Sequence, residues 1–219
     1  MKVANPNLKH LEGQKLEEAL HVKSGGEYKS KIISQVNIEG VGKGVYFKEC
    51  RFRGLELVSA QLPELTIRDC SVADSEFSGA TIAPSYIERA TFDKLRASGV
   101  QIYESKLKDV TFIDCKLDMA NFRSTKLKRV RFESCNLIDV DFAGATLEDV
   151  EMFDCELKDA NFSSIHAKNL DLRGSRLSGV VGATSLRGAI VTTDQLFTFN
   201  HALARDLGIV VQDDTDDTE

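Results

Sequence analysis

The sequence lacks tryptophan, has only three prolines, and contains no long apolar run. A helix that spans a bilayer needs about 20 consecutive, mostly apolar residues, so we expect no membrane association. The first residues, MKVANPNLKHLEGQ, also lack the apolar stretch that a secretory signal requires. Together these absences predict a cytoplasmic protein.

An excess of positive charge is missing as well. The chain has 28 Lys and Arg against 34 Asp and Glu, a formal net charge of −6, and a sequence pI of about 5.4. Proteins that bind nucleic acid directly use a basic electrostatic field. The composition therefore predicts no direct contact with nucleic acid.

Motifs for catalysis and metal binding are absent from the sequence. None of the four histidines lies at a metal-ligand spacing from another, and no Ser–His–Asp set can be assembled. The segment GVGKG at 40–44 lacks the Lys-Ser/Thr ending of a phosphate-binding loop, and we interpret it as a turn. We predict that the protein is not an enzyme, with no catalytic residues, no metal site and no cofactor.

What the sequence does contain is a period of five. An apolar residue occupies all 27 positions at five-residue steps from Phe47 to Leu177. The positions two residues earlier, from Val45 to Ser175, hold only Val, Cys, Leu, Ala, Ser, Thr and Ile. Neither series has a charged residue, although charged residues make up 28% of the chain. Two positions of each pentad therefore face inward, and the other three face water.

This pattern resembles the pentapeptide repeat family, whose unit is a small residue, Asp or Asn, Leu or Phe, and two polar residues. The best matches are ANFRS at 120–124, CNLID at 135–139, VDFAG at 140–144 and ANFSS at 160–164. The resemblance, from residue 45 to about 179, implies an all-β fold. In that fold, a right-handed quadrilateral β-helix, each pentad forms one side and four pentads form one coil.

A coil of twenty residues predicts that residues twenty apart stack in columns, and the sequence places like on like. The predicted columns are Phe92, Phe112, Phe132 and Met152; Phe122, Phe142 and Phe162; Leu107, Leu127 and Leu147; and Leu117, Leu137 and Leu157.

All five cysteines fall at the small inward position, so we interpret them as buried small hydrophobes and not as disulfides or metal ligands. They are Cys50, Cys70, Cys115, Cys135 and Cys155.

The outward charges form a basic band followed by an acidic stretch. The band consists of Arg123, Lys126, Lys128, Arg129 and Arg131. One interpretation is a ladder of opposite charges one coil apart, such as Asp109, Arg129 and Asp149. The other is a negative face that imitates the phosphates of DNA, and both can hold together. The candidate acidic partner-binding face consists of Glu148, Asp149, Glu151, Asp154, Glu156 and Asp159.

The two ends of the chain leave the five-residue pattern. We expect an N-terminal arm and cap over 1–44, with moderate helical character at 8–22 and strand-like alternation in IISQVNIEG. The β-helix is expected over 45–191, with a slip of one residue after Leu177 that puts Val181, Leu186 and Val191 inside. Beyond it we expect a helix and dimerisation segment over 192–211 and a disordered acidic tail over 212–219.

The segment TTDQLFTFNHALARDLG predicts a helix capped by Thr193 or Asp194 and ended by Gly208. Its ending, ARDLGIVV, resembles that of fluoroquinolone-resistance members of the family, in which a C-terminal helix joins two rods. The resemblance implies a homodimer through this helix; the alternative is a helix that only plugs the rod. The predicted interface consists of Leu196, Phe199, Leu203, Leu207 and Ile209.

Family members of this kind resemble duplex DNA in width and charge and engage DNA gyrase. The resemblance therefore implies a DNA-mimic partner of DNA gyrase or topoisomerase IV, which inhibits the enzyme or protects it from quinolones or related poisons. This sequence departs from the plasmid-type resistance proteins, because its unbroken register leaves no room for their projecting loops and its basic band interrupts the acidic face. The alternative is a scaffold for a partner unrelated to topoisomerases.

Overall fold

The computed structural model describes residues 1–12, 16–17, 22–38 and 42–212, with the backbone alone at 16–17. Its strands form one parallel sheet that winds around a central core, and one α-helix follows the sheet. The strands are β1 (Leu16–Glu17), β2 (Glu27–Lys29), β3 (Ile32–Asn37), β4 (Tyr46–Lys48), β5 (Arg51–Glu56), β6 (Thr66–Ala73), β7 (Tyr86–Asp93), β8 (Lys106–Ile113), β9 (Lys126–Glu133), β10 (Thr146–Phe153) and β11 (His166–Asp171). The helix is α1 (Thr193–Asp206), and 3₁₀ turns cover Lys9–Leu11 and Ala183–Leu186.

Each coil of the rod contains twenty residues on four sides. Strands β6 to β10 pair in parallel with partners twenty residues apart, so that Phe132 lies beside Met152. These strands cover two sides, and single bridges such as Asn136 to Glu156 and Asn121 to Asp141 connect the other two. The prediction of a quadrilateral β-helix is confirmed, with about seven coils.

We number the sides from the coil at 145–164. Side 1 holds 145–149, side 2 holds 150–154, side 3 holds 155–159 and side 4 holds 160–164, and the same numbers apply every twenty residues. Sides 1 and 3 are opposite each other, as are sides 2 and 4.

The two uncharged series of the sequence line the interior as predicted. Every member of both series is buried except Ala167, which is partly buried. The phenylalanine columns are stacked: the rings of Phe92 and Phe112 lie 4.9 Å apart, and those of Phe142 and Phe162 lie 5.5 Å apart. The core is therefore a narrow stack of buried, mostly apolar side chains, in keeping with the close packing of protein interiors.

The backbone repeats with the same period. The third outward residue of each pentad, every fifth position from Glu49 to Gly179, has a positive φ at all sites but Pro84. This left-handed conformation turns the chain from one side to the next, and it is costly for residues with a Cβ, most of all for β-branched ones. None of these positions holds Val, Ile or Thr. The left-handed backbone therefore restricts the residue types at this outward position, just as burial restricts them at the two inward positions.

At the N-terminal end, β2 and β3 pair with β4 and β5 at an offset of 19 residues, one fewer than elsewhere. The strand expected in IISQVNIEG is therefore present, in the sheet. The expected helical character at 8–22 is wrong where the chain is described, because Lys9–Leu11 forms a 3₁₀ turn and β1 is a strand. The rest of that segment lies outside the described residues.

At the C-terminal end, the register persists longer than the sequence suggested. Val180 is buried while Val181 is 41% exposed, so the predicted inward position of Val181 is wrong. The one-residue slip occurs later, where Asp171 pairs with Ile190. Gly182 stands at the next inward position with φ +77°, and a Cβ there would collide with the backbone of Ser163, which explains why the repeat stops.

Helix α1 closes this end of the rod. The sequence suggested Thr193 or Asp194 as its cap, but Thr192 is the N-cap and forms a capping box with Gln195. The helix ends near Gly208 as predicted, where Gly208 has φ +70°. Phe199 and Ala202 are buried against the core, so that α1 covers the last coil.

Candidate partner-binding surfaces

The six carboxylates predicted as one acidic face lie in one coil but on three of its sides. Glu148 and Asp149 are on side 1, Glu151 and Asp154 on side 2, and Glu156 and Asp159 on side 3, as the parallel register requires. With Lys158 they give the coil at 145–164, which we call the acidic coil, a formal charge of −5. The charge is thus arranged as a belt around the rod and not as a stripe along it.

Three carboxylates of the acidic coil are in ion pairs with neighbouring coils. Lys128 Nζ lies 2.9 Å from Glu148 Oε1, and Arg131 Nε lies 3.2 Å from Glu151 Oε2. Both pairs belong to the ladder predicted from the twenty-residue coil. The third carboxylate, Glu156, pairs with a residue one coil later, Arg176, at 2.9 Å.

The other three carboxylates have weaker or uncharged neighbours. Asp149 accepts a hydrogen bond of 2.8 Å from Asn169, and Asp154 accepts one of 3.4 Å from Ser134. Asp159 lies 3.9 Å from Lys158 on the same pentad. All three occupy the left-handed position between two sides, with φ near +55°. They therefore remain the residues best able to present negative charge to a partner.

The basic band does not form one surface either, because its residues lie on three sides of the rod. Arg123 is on side 4 and pairs with Asp141 at 2.9 Å, a contact that the coil register alone did not reveal. Arg129 on side 1 donates two hydrogen bonds of 2.7 Å to Asp109. This guanidinium holds the pKa of Asp109 below its usual range, and burial of the carboxyl opposes the shift.

A second surface lies at the C-terminal end and is apolar. Of the predicted interface residues, Phe199 packs into its own chain and Leu203 is partly buried. Leu196, Leu207 and Ile209 are 49%, 62% and 57% exposed. The sequence stripe missed further exposed apolar side chains in this region, which are Phe197, Val210 and Val211. A patch of this composition at the end of a rod is typical of a protein contact.

The cysteines behave as the sequence predicted, since all five are buried and free. Cys115, Cys135 and Cys155 stack on successive coils, and the hydrogen bond with Cys115 raises the pKa of Cys135 to about 12. A thiol with such a pKa is protonated and inert at neutral pH.

Within the described ranges, no group of three or more His, Cys, Asp or Glu side chains could hold a metal ion. In the same part of the chain, no helix has the length and apolar character needed to cross a membrane.

Comparison with known proteins agrees with this geometry. Residues 86–162 match a family model described as a pentapeptide repeat region. Among solved structures, a trypsin-treated variant of QnrB1, a plasmid-mediated fluoroquinolone resistance protein, superposes with a TM-score of 0.55 at 18% identity, covering 89% of this chain and 95% of that one. HetL, involved in heterocyst differentiation regulation in the cyanobacterium Nostoc sp. strain PCC 7120, gives 0.46 at 16% identity over 78% and 98%.

A search of curated proteins found no match to the sequence. On the grounds of the family model and the structural match, residues 86–162 are a pentapeptide repeat region, and the described chain has the fold of pentapeptide repeat β-helix proteins.

Proposed function

We propose that this protein is a non-enzymatic DNA mimic that binds DNA gyrase or topoisomerase IV as a homodimer. The observation that carries the proposal is the acidic coil, which has a formal charge of −5 and is separated from the C-terminal apolar patch by a single coil. In a two-fold dimer joined at that patch, two acidic belts would flank the centre of a longer rod. A basic DNA-binding saddle is attracted to such a charge distribution.

The dimer part of the proposal is supported by the exposed apolar side chains at the end of the rod. Leu207 and Ile209 are more than half exposed in one chain, and so are Phe197, Val210 and Val211. Burial of apolar surface is the main favourable term in association. A second copy has the same patch, so a two-fold contact would cover both at once.

A second candidate function is a scaffold for a partner unrelated to topoisomerases. The observation that favours it is the neutralisation of Glu148, Glu151 and Glu156 by basic residues of adjacent coils. Ion pairs of this kind reduce the field that a DNA-binding protein would recognise. Repeat solenoids serve as interaction surfaces for many kinds of partner.

A supercoiling assay with and without ciprofloxacin tests the proposed function. We expect the wild-type protein either to inhibit gyrase or to restore supercoiling in the presence of the drug at micromolar concentration. The triple variant Asp149→Asn, Asp154→Asn and Asp159→Asn should lose this effect by at least about tenfold, since it removes the three carboxylates of the acidic coil that form no close ion pair with an adjacent coil in the described part of the chain. Asn also tolerates their left-handed backbone.

The matched control changes Asp74, Asp114 and Asp139 to Asn, three carboxylates at the same pentad position in other coils. It alters the net charge equally but leaves the acidic coil intact. Equal loss in both triple variants would assign the effect to net charge alone. Wild-type protein without any effect on gyrase would favour the scaffold.

The oligomeric state is tested separately by light scattering on a sizing column. Leu207→Glu with Ile209→Glu should convert a dimer into a monomer, because it places four carboxylates in the two-fold contact. The control is Val58→Glu with Met119→Glu, two exposed apolar residues on side 3. A wild-type monomer at high micromolar concentration would contradict the dimer.

A further inference from the structure

The N-terminal segment 1–12, which we call the arm, lies lengthwise along the rod. Its first residue contacts Glu151, where the terminal ammonium lies 2.7 Å from Oε1. The backbone N–H of Ala4 donates to Asp109 Oδ1 at 3.4 Å, and His10 Nε2 lies 3.6 Å from Glu49 Oε2. The arm therefore runs across six coils, that is, five steps between coils or a distance of about 24 Å at strand spacing, which ten extended residues can cover.

The arm packs against side 2 of the rod. The first outward column of side 2 has short side chains in three successive coils, namely Ser71, Thr91 and Thr111. Together with segments of the arm they enclose an open cleft of about 390 Å³. Leu8 lines this cleft and is only 7% exposed. The column is flanked by long side chains, Arg51 at one end and Arg131 at the other. We call this channel the side-2 groove.

The arm is held without joining the sheet. In the described part of the chain, its backbone–backbone hydrogen bonds are internal to the 3₁₀ turn, from Leu11 to Leu8 and from Glu12 to Lys9. Its attachments to the rod include one backbone N–H donated to a carboxylate, the ion pair of the terminal ammonium with Glu151, the contact of His10 with Glu49, and the buried side chains of Leu8 and Leu11. A segment attached in this way can open while every ladder of the rod stays intact.

We propose that the side-2 groove is a binding site for an extended peptide, which the arm occupies in the same chain. Contacts at this site would select for three features of the bound peptide. The carboxylates of Glu151 and Asp109 favour a cationic group and a backbone N–H at one end, and the cleft favours a leucine seven residues later. A segment of another protein with this chemistry, a cation followed by leucines in an extended chain, would compete with the arm. This inference does not rest on binding to gyrase, although Glu151 belongs to both surfaces.

The test uses the full chain and a fluorescein-labelled peptide with the sequence of residues 1–12, followed by fluorescence anisotropy. In the wild type, the tethered arm competes at an effective concentration of roughly millimolar. We expect Leu8→Asp with Leu11→Asp, which should dislodge the arm, to bind the peptide at least about tenfold more tightly than wild type. A peptide with both leucines changed to serine should bind neither protein.

The site is located by blocking it. Adding Thr91→Arg to the dislodged variant fills the groove and should abolish peptide binding. The matched control is Thr81→Arg, at the same pentad position on the opposite side of the rod. Equal binding to wild-type and dislodged protein, or binding that survives Thr91→Arg, would overturn the proposal.

Folding of the variants is followed by circular dichroism. The dislodged variant should keep the spectrum of the wild type, because no ladder depends on the arm. Loss of folding in the aspartate pair and in a milder Leu8→Ser with Leu11→Ser pair would also overturn the proposal, since those leucines would then belong to the core.

Discussion

Phe132 stacks on Phe112 with ring centroids 4.9 Å apart and ring planes 5° from parallel. The two residues are twenty positions apart in the sequence and occupy the same place in successive coils. Phe122 contacts Phe132 edge-on at 6.1 Å, so that neighbouring columns interlock. A core built of columns should be intolerant of any single charge, because each ring has partners above, below and beside it.

Phe132→Asp should therefore destabilise the protein by at least about 4 kcal/mol, the sum of a lost aromatic side chain and an unpaired buried charge. Urea unfolding followed by circular dichroism measures this change. Glu133→Lys, one residue later and facing water, should change the free energy of unfolding by less than about 0.5 kcal/mol. Similar unfolding midpoints for the two variants would contradict the inward assignment of Phe132.

Met119 is 58% exposed and has φ +57°, so its backbone and not its side chain should limit substitution. Met119→Ile is expected to cost about 1–2 kcal/mol, since a β-branched residue resists the left-handed region. Met119→Gly should be neutral or stabilising. Thermal melts provide the measurement, with Ser178→Ile as the control at an exposed position without positive φ. A harmless Met119→Ile would show that the turn is not strained.

Gln195 closes the C-terminal end of the rod. Its Nε2 donates hydrogen bonds of 2.6 Å to the carbonyls of Leu172 and Ser175, and its Oε1 accepts one of 2.7 Å from the N–H of Thr192. Gln195→Glu keeps the acceptor but removes both donors and brings a charge against two carbonyls. We expect a loss of about 2–4 kcal/mol from the orphaned carbonyls.

Glu at this helix position is normally favourable. A loss of stability in Gln195→Glu would therefore come from the broken contacts with the carbonyls of Leu172 and Ser175 and not from the helix. Chemical denaturation gives the value, and the exposed neighbour Asp194→Asn is the control. An unchanged free energy of unfolding would mean that water replaces the side chain at this end.

Asp109 gives the stability a pH dependence whose sign follows from its ion pair. Arg129 lowers the pKa of Asp109 in the folded state, so its contribution is complete above the unfolded pKa of about 3.9. That contribution is lost as the pH falls towards the lower folded pKa. Asp109→Asn should cost about 1–3 kcal/mol at pH 7, and the difference from wild type should shrink below about pH 4.

Melting curves between pH 7 and pH 2.5 would measure this difference, with the exposed Asp114→Asn as the control. A gap between wild type and Asp109→Asn that is constant with pH would show that the charge of the carboxylate is not what stabilises the pair.

The core of this fold was predictable because one five-residue rule specifies every inward side chain. The two uncharged series predict the inward positions of Phe132 and Cys135 from the sequence alone, and the twenty-residue coil predicts the pair of Arg129 and Asp109. The left-handed turns leave a weaker signal in the sequence, which is the lack of Val, Ile and Thr at the third outward position of the pentads. The cap at Thr192 also had a signal, because Thr192 and Gln195 have capping-box spacing.

The contacts of the outward side chains were less predictable than the core, because each charged side chain has several possible partners within reach. Glu156 pairs with Arg176 in the next coil, and Asp141 pairs with Arg123, which lies two residues further along the same side in the previous coil. The five-residue pattern does not predict which of these neighbours is used. The arm has no periodic pattern, so the sequence does not predict that it packs against side 2, and only the folded structure shows this contact. Phe199 was placed on the correct helix, but the choice between its inner and outer face depends on how α1 meets the last coil.

The square cross-section restricts how such a chain can change in length. Inserting one pentad between Asp109 and Glu151 would rotate everything beyond it by a quarter turn, so that the Glu151 carboxylate would leave the line of Glu49 and Asp109 that the first twelve residues follow. Only insertions or deletions of whole coils preserve that alignment. Lineages of this protein should therefore differ in rod length by multiples of twenty residues, and intermediate lengths should have lost the lengthwise contact.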